Sequence, residues 1–260
     1  MVEAIKKRRW SGRLTLAAAI LCFGAVAMAL IGAVGSGRGA WDFRLGFTLL
    51  TYAVYAGALG VAIAIVAAFL ARRARPKLVL VNLAAILVAG GFLAFVGNQI
   101  RIARSVPPIH DISTNLEDWP RFYRLTVRDD NLESVPDMGR EDLRALPPRE
   151  RWKAIHRESY GDIATIRVPW SVEETVARAR ALAEERGWEI VTADPQRGIV
   201  EAVDTSFFFQ FKDNIIVRAM PVTDRNETVV DMRSISRVGV SDIGVNARRV
   251  RDFLADLRRG

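Results

Sequence analysis

The chain has 260 residues, 50% of them hydrophobic, with 37 Lys+Arg against 29 Asp+Glu and a formal net charge of +8. Divided after residue 104, the first part carries 13 Lys+Arg and 2 Asp+Glu (+11), while the remaining 156 residues carry 24 and 27 (−3). The basicity therefore belongs to the first part, which removes overall charge as an argument for nucleic-acid binding. The single cysteine, Cys22, also lies there, so the second part neither needs nor risks a disulfide in an oxidising compartment.

Three uncharged apolar runs occupy 14–34, 45–71 and 78–97. A hydrocarbon core about 30 Å thick needs about 20 helical residues rising about 1.5 Å each. Each run is long enough to cross, with spans expected at about 14–34, 47–71 and 78–97. The first is read as a retained anchor. Its rival reading is a cleaved signal peptide with Ala27-Met28-Ala29 as the small-residue site, against which the run continues through Leu30 and Ile31.

Lys6, Lys7, Arg8, Arg9 and Arg13 precede the first run, and Arg72, Arg73, Arg75 and Lys77 separate the second from the third. The first connection, 35–46, holds only Arg38 and Arg44, with Asp42 beside them, and Arg101 and Arg104 follow the third run. Cytoplasmic loops hold the excess of Lys and Arg, so the N-terminus is expected inside and the second part outside. No Asp, Glu, Lys, Arg or His interrupts any span, which argues against a transporter or proton relay. Ala53, Gly57, Gly60, Gly90, Gly91 and Ala94 allow close helix contact, expected within one three-helix bundle in preference to a dimer. Trp10 and Trp41 fit interfacial anchors.

The second part, 105–260, opens on an irregular stretch, 107–120, rich in turn formers. Helical pieces are expected near 140–146 and 149–157, and a strand at 163–168. Ser171 and Glu174 form a capping box ahead of a helix with Val172, Val176, Ala179 and Ala183 on one face. Gly187 stops it. A hairpin follows, 188–193 with 199–204, then a strand pair, 214–222 with 227–238, joined by a turn at 223–226. The last helix is expected from about Ser241, with Ile243, Ala247, Val250, Leu254 and Leu257 inward and Arg248, Arg249, Arg251, Arg258 and Arg259 in water. The fold class is α+β: a three-helix transmembrane anchor, 1–104, then a domain ordered strand, helix, four strands, helix, with helices on one face of an antiparallel sheet.

Several stretches carry a resemblance: Pro108-Ile-His-Asp-Ile-Ser-Thr-Asn115, Gly198-Ile-Val-Glu-Ala202, Phe211-Lys-Asp-Asn-Ile-Ile-Val-Arg218, Val230-Asp-Met-Arg-Ser-Ile-Ser-Arg-Val-Gly239 and Ser241-Asp-Ile-Gly-Val-Asn-Ala-Arg248. The second part resembles the family catalogued as domain of unknown function 1499. That resemblance implies a bacterial envelope or plastid-type protein, often preceded by membrane spans. It supplies no catalytic residues.

Two constellations remain as candidate sites. Period-two alternation puts Asp231, Arg233, Ile235 and Arg237 on one strand face. Arg218, Arg233 and Arg237 could then hold a carboxylate or phosphate. The plainer reading is a ladder of cross-strand ion pairs among Glu201, Arg218, Asp231 and Arg233 on a half-solvated face. His110-Asp111 could be a base with its orienting carboxylate, against a turn at the domain entrance. His156 is expected on a polar helix, and Phe207-Phe-Phe-Gln-Phe211 in the core, against the readings that the run lines an apolar pocket or touches lipid. Gly35-Ser-Gly-Arg-Gly39 follows no strand and is not a phosphate loop.

The sequence therefore reads as a non-catalytic binding or interaction module held on the periplasmic side of a bacterial inner membrane. The alternatives are a receptor for a small anionic or lipid ligand through Arg218, Arg233 and Arg237, then a hydrolase using His110 and Asp111. The partners expected are the bilayer and either an envelope protein or a small anion, with no nucleic acid, cofactor or metal.

Overall fold

The computed structural model describes residues 2–73, 75–223 and 225–259. Ala74 and Asp224, in the expected connections at 72–77 and 223–226, lie outside them. The chain divides into two compact units: residues 1–101 with Phe207–Gln210, and Ile102–Ser206 with Phe211–Gly260.

In the first unit, α1 (Val2–Gly37), α2 (Phe43–Ala71) and α3 (Pro76–Ser105) each contain a stretch long and apolar enough to cross a membrane: Trp10–Gly37, Phe43–Ala71 and Pro76–Ser105. Their large side chains point outward, as Leu80, Phe69 and Leu87 do. A helix apolar on every side needs lipid or protein around it. The buried face of α2 is made only of Gly and Ala, from Gly46 through Gly57 and Gly60 to Ala71, spaced by three, four or seven. That stripe lets α1 and α2 approach closely as a helical hairpin. The contact stripe of α3 is Asn82, Ala85 and Ala89. The Asn82 amide donates to Thr15 Oγ1 at 2.9 Å, a partner it needs among apolar neighbours. Gly90 and Gly91, expected at a helix contact, have open space beside them instead.

The second unit is organised around one antiparallel sheet. Its elements are β1 (Asp111–Ser113), α4 (Glu141–Arg144), α5 (Pro148–Tyr160), β2 (Ile166–Val168), α6 (Val172–Glu185), β3 (Glu189–Asp194), β4 (Ile199–Thr205), β5 (Lys212–Pro221), β6 (Thr228–Ser236) and α7 (Val245–Arg259). The strand order is β1-β6-β5-β4-β3, and β2 also pairs with β6. Asp111 sits opposite Ile235 and Ile166 opposite Val230, so β1 and β2 lie end to end along the same side of β6.

One sheet face is apolar: Val200, Ala202, Ile215, Val217, Ala219, Val230 and Met232 pack with Val176, Ala179 and Ala183 of α6 and Val250, Phe253 and Leu257 of α7. Ser171 Oγ accepts the Glu174 N–H at 3.2 Å and starts α6, as the capping pattern predicts. Glu174's carboxylate pairs with Arg178 rather than reaching back to the cap. Gly187, at φ +75°, ends the helix, and Trp188 stacks on Phe253 at 5.2 Å.

The structure corrects several expectations. The 107–120 stretch contains β1, three residues whose hydrogen-bond partners lie over a hundred positions later, beyond any local pattern. Ile243 and Gly244 adopt left-handed φ, so α7 begins at Val245, after the Asp242 carboxylate has accepted the Gly244 and Asn246 N–H groups. Arg249 is buried rather than wet. Its guanidinium reaches Asp204 at 2.6 Å and Asp213 at 2.8 Å. Phe207 is 84% exposed, not core. His156 is buried too: α5 presents Trp152, His156 and Tyr160 at four-residue spacing along β1. Trp152 Nε1 donates to the Asp111 carbonyl at 2.8 Å, and Ser113 N–H donates to His156 Nε2 at 3.3 Å.

Burial pushes His156 down from 6.5 to about 4. The unfolded chain therefore takes up a proton near pH 6.5 that the folded chain refuses until about 4, so this histidine's contribution to stability falls as pH falls through that window. Converted at 1.36 kcal/mol per unit, the loss is roughly 3 kcal/mol. Asp242, raised by burial, works in the opposite sense, so the comparison must be between variants. His156→Gln, which keeps an acceptor for Ser113, should flatten the difference between melts at about pH 7 and about pH 4.5 relative to wild type. An unchanged slope would show that His156 is not the group responsible.

Candidate functional site on the polar sheet face

The alternate residues of the same strands build the opposite face. Arg218 sits opposite Asp231, Ile216 opposite both Glu201 and Arg233, and Ser113 opposite Arg233. The parity is as expected, but the face is not half-solvated. Glu201, Asp231 and Asp111 are each at most 1% exposed. The chain after β1 turns back across this face as an irregular cover, which is why the exposure could not be read from strand periodicity.

Each buried acid has its own solution. Glu201 accepts three successive backbone N–H groups, from Tyr123, from Arg124 at 2.9 Å and from Leu125 at 3.0 Å. Successive N–H dipoles turned onto one carboxylate make an anion nest, here for an internal anion. Asp231 accepts Thr114 Oγ1 at 2.8 Å, Thr165 Oγ1 at 2.5 Å and an Arg218 nitrogen at 2.8 Å. Arg218 continues outward to the carboxylate of Asp118 at 3.0 Å.

Asp111 and Arg233 form the most enclosed pair. Arg233 Nε donates to Oδ1 at 2.9 Å and a terminal nitrogen donates to Oδ2 at 2.6 Å. Asn131 Nδ2 donates to the same Oδ2 at 2.7 Å. Burial pushes the Asp111 carboxyl up, but the Arg233 guanidinium and the Asn131 amide more than offset it, and the group lies below the ordinary carboxylate range. The guanidinium also lies over the Trp119 ring, 4.9 Å from its centroid.

His110 does not bond Asp111 directly. Its Nε2 meets Asn131 Oδ1 at 2.9 Å and its Nδ1 meets the Val240 carbonyl at 3.1 Å, so Asn131 stands between the two residues. The arginines share a face without converging. At about 3.4 Å per residue, Arg237 lies about 14 Å along β6 from Arg233 and about 20 Å from the position opposite Arg218. A small anion cannot touch all three.

Arg237 opens instead onto a cavity of about 290 Å³ that it lines with Arg124 and Arg128, Thr126 and Ser236. Its Nε donates to Asn214 Oδ1 at 2.7 Å, while Asn214 Nδ2 donates to the Thr126 carbonyl at 2.9 Å. Arg128 is partly engaged by Asp130 and Ser134. Sequence reading missed Arg124, Arg128, Asn131 and Asn214. The first three lie in irregular chain, and no periodicity assigns such residues to a strand face.

The other side of β6 explains the remaining polar motif residues. Ser234 Oγ and Ser236 Oγ bond Asn246 of α7, and Asn246 Nδ2 also donates to the His110 carbonyl at 2.9 Å. The family model described as Protein of unknown function (DUF1499) matches residues 111–257, more than half of the chain. The chain belongs to the DUF1499 family. The matched segment starts at the first residue of β1 and ends at Leu257, the last buried residue of α7, so it coincides with the sheet and its covering helices. The resemblance expected from the motifs is thus borne out. No curated protein matches the chain.

Within the DUF1499 fold, Arg233 and Arg237 should respond very differently to truncation. Arg233→Ala leaves Asp111 buried without its partner and should cost about 3–5 kcal/mol. Arg237→Ala, at an exposed position, should cost less than about 1 kcal/mol. Chemical or thermal unfolding of the detergent-purified chain measures both. Equal, small effects would contradict the closed Asp111–Arg233 pairing.

Proposed function

We propose that this DUF1499 protein is a membrane-anchored, non-catalytic binding module whose ligand is a small anion, bearing phosphate or carboxylate, held beside Arg237. The observation that carries this reading is the contrast between matched and presented charge. Arg233 is closed onto Asp111, whereas Arg124 and Arg237 stand exposed around a cavity whose apolar walls include Leu125, Val127 and Ile235. At about 290 Å³ the cavity falls at the small end of ligand sites, roughly 300–1,000 Å³. Guanidinium groups suit such a ligand because their planar fork meets two oxygens at once. The hydrolase reading draws no support: His110 has both ring nitrogens bonded inside the protein, and Asp111 is clamped by Arg233 and Asn131.

The domain faces the periplasm of a bacterial inner membrane in this proposal. Support comes from three candidate spans and from the Lys/Arg excess before the first and between the second and third. Alkaline phosphatase fused after residue 260 should be active. A fusion silent as phosphatase, with a fluorescent fusion bright in the cytoplasm, would invert the orientation.

Ligand binding is tested by melting the detergent-purified protein against inorganic phosphate, glycerophosphate and small carboxylates. A ligand at a hundredfold excess over Kd stabilises by about 2.7 kcal/mol. Arg237→Ala or Arg124→Ala should remove the shift while leaving the unliganded melt almost unchanged. The absence of any shift in wild type would sink the anion reading and favour a protein partner.

A further inference from the structure

The turn between β4 and β5 is built to present aromatic rings rather than to bury them. Gln210 adopts a left-handed φ of 54°, and its side-chain amide donates to the Phe207 carbonyl at 2.9 Å, closing the loop on itself. Phe207 is 84% exposed and Phe208 45%, with their rings edge to face at 5.1 Å. Two adjacent exposed phenylalanines on a turn are unfavourable in water, because their apolar area stays hydrated.

Residues Phe207–Gln210 belong to the helical unit. Phe209 stacks on Phe47 with centroids 4.9 Å apart and planes 26° apart. A side chain at Gly46 would strike the Phe209 ring at 2.9 Å, and one at Gly37 would strike Gln210 at 2.7 Å. The two glycines at the end of the α1–α2 hairpin thus make room for this turn.

That end of the hairpin has the composition of a membrane–water interface. Trp41 donates from Nε1 to the Gly32 carbonyl at 3.1 Å, and Arg38 and Arg44 flank it. Helix α2 has 29 residues, which at about 1.5 Å each span about 43 Å against a hydrocarbon core of about 30 Å. Centred in the bilayer, it leaves roughly 6–7 Å at each end for the interface. Phe47 lies four residues, about 6 Å, inside the start of α2, at the edge of the hydrocarbon. Phe209 shares that level through its stack on Phe47.

We propose that Phe207 and Phe208 form an aromatic wedge that inserts into the phospholipid leaflet reached by the α1–α2 connection. The occupant is lipid, at the boundary of headgroup and acyl chain, and the continuity with the membrane-spanning unit selects it over a protein partner. The wedge acts independently of the anion cavity and does not rest on that reading.

The test uses the full chain in nanodiscs of phosphatidylethanolamine and phosphatidylglycerol. In a Cys22→Ala background, Phe207→Cys, Phe208→Cys and, as a water-exposed reference in the β3–β4 turn, Gln196→Cys are each labelled with the polarity-sensitive fluorophore NBD. Both wedge sites should show blue-shifted emission that is quenched by lipids bearing a doxyl spin label near the headgroup, and position 196 should show neither. Water-like, unquenched emission at 207 and 208 would overturn the proposal. Blue-shifted emission without quenching would overturn it as well, because it would place protein rather than lipid around the rings. The two wedge positions are labelled separately, so poor folding of one variant still leaves the other to decide.

Discussion

A carboxylate and a guanidinium taken out of water together must replace a hydration free energy of several kcal/mol per ion. Asp111 and Arg233 do so with two parallel hydrogen bonds, a third from Asn131 and the face of Trp119. Much else depends on that pair. It ties the short β1 to β6, and Asn131 in turn holds His110. His110's carbonyl receives both the Ser236 N–H and the Asn246 amide, so the same corner joins the sheet to α7. Removing either charge leaves the other with no water to return to.

The polar face of the sheet is unusual in being closed by chain without regular structure. Such a cover has no ladder of its own, and its backbone donors need other acceptors. Glu201 supplies them for three successive residues, and Asn214 binds the Thr126 carbonyl. Side chains of the sheet thereby take the place of a neighbouring strand. This arrangement leaves Arg124 and Arg237 at the margin of the cover, where the cavity opens.

Much of the fold was legible because its signals are local. The Ser171 cap, the Gly187 stop and the turn at Gly198 mark α6 and the β3–β4 hairpin within a few residues of where they form. Helix apolarity gave the three candidate spans for the same reason. Strand parity also placed Asp231 and Arg233 on one face correctly. Exposure was not legible, since it depends on a distant segment lying over that face. Arg249 illustrates the limit: on a helical wheel it belongs with the wet arginines, and only the approach of Asp204 and Asp213 from β4 and β5 makes its burial tolerable. The Phe207–Phe211 run has core composition, yet its turn geometry carries Phe207 outward.

Strand β6 bears on one side both β1 and β2, and Asp111 meets Arg233 across 122 positions of sequence. Contacts so remote close late, because the loop entropy they remove is not compensated until both ends are present. During synthesis, the first strand of the domain has no partner until β6, more than a hundred positions later, has appeared. For that interval the Asp111 side chain and the β1 backbone remain hydrated, close behind a helix long and apolar enough to be already in the bilayer. The topology thus separates elements joined by neighbouring residues, the β3–β4 hairpin and α6, from the charged corner that unites the two ends of the domain.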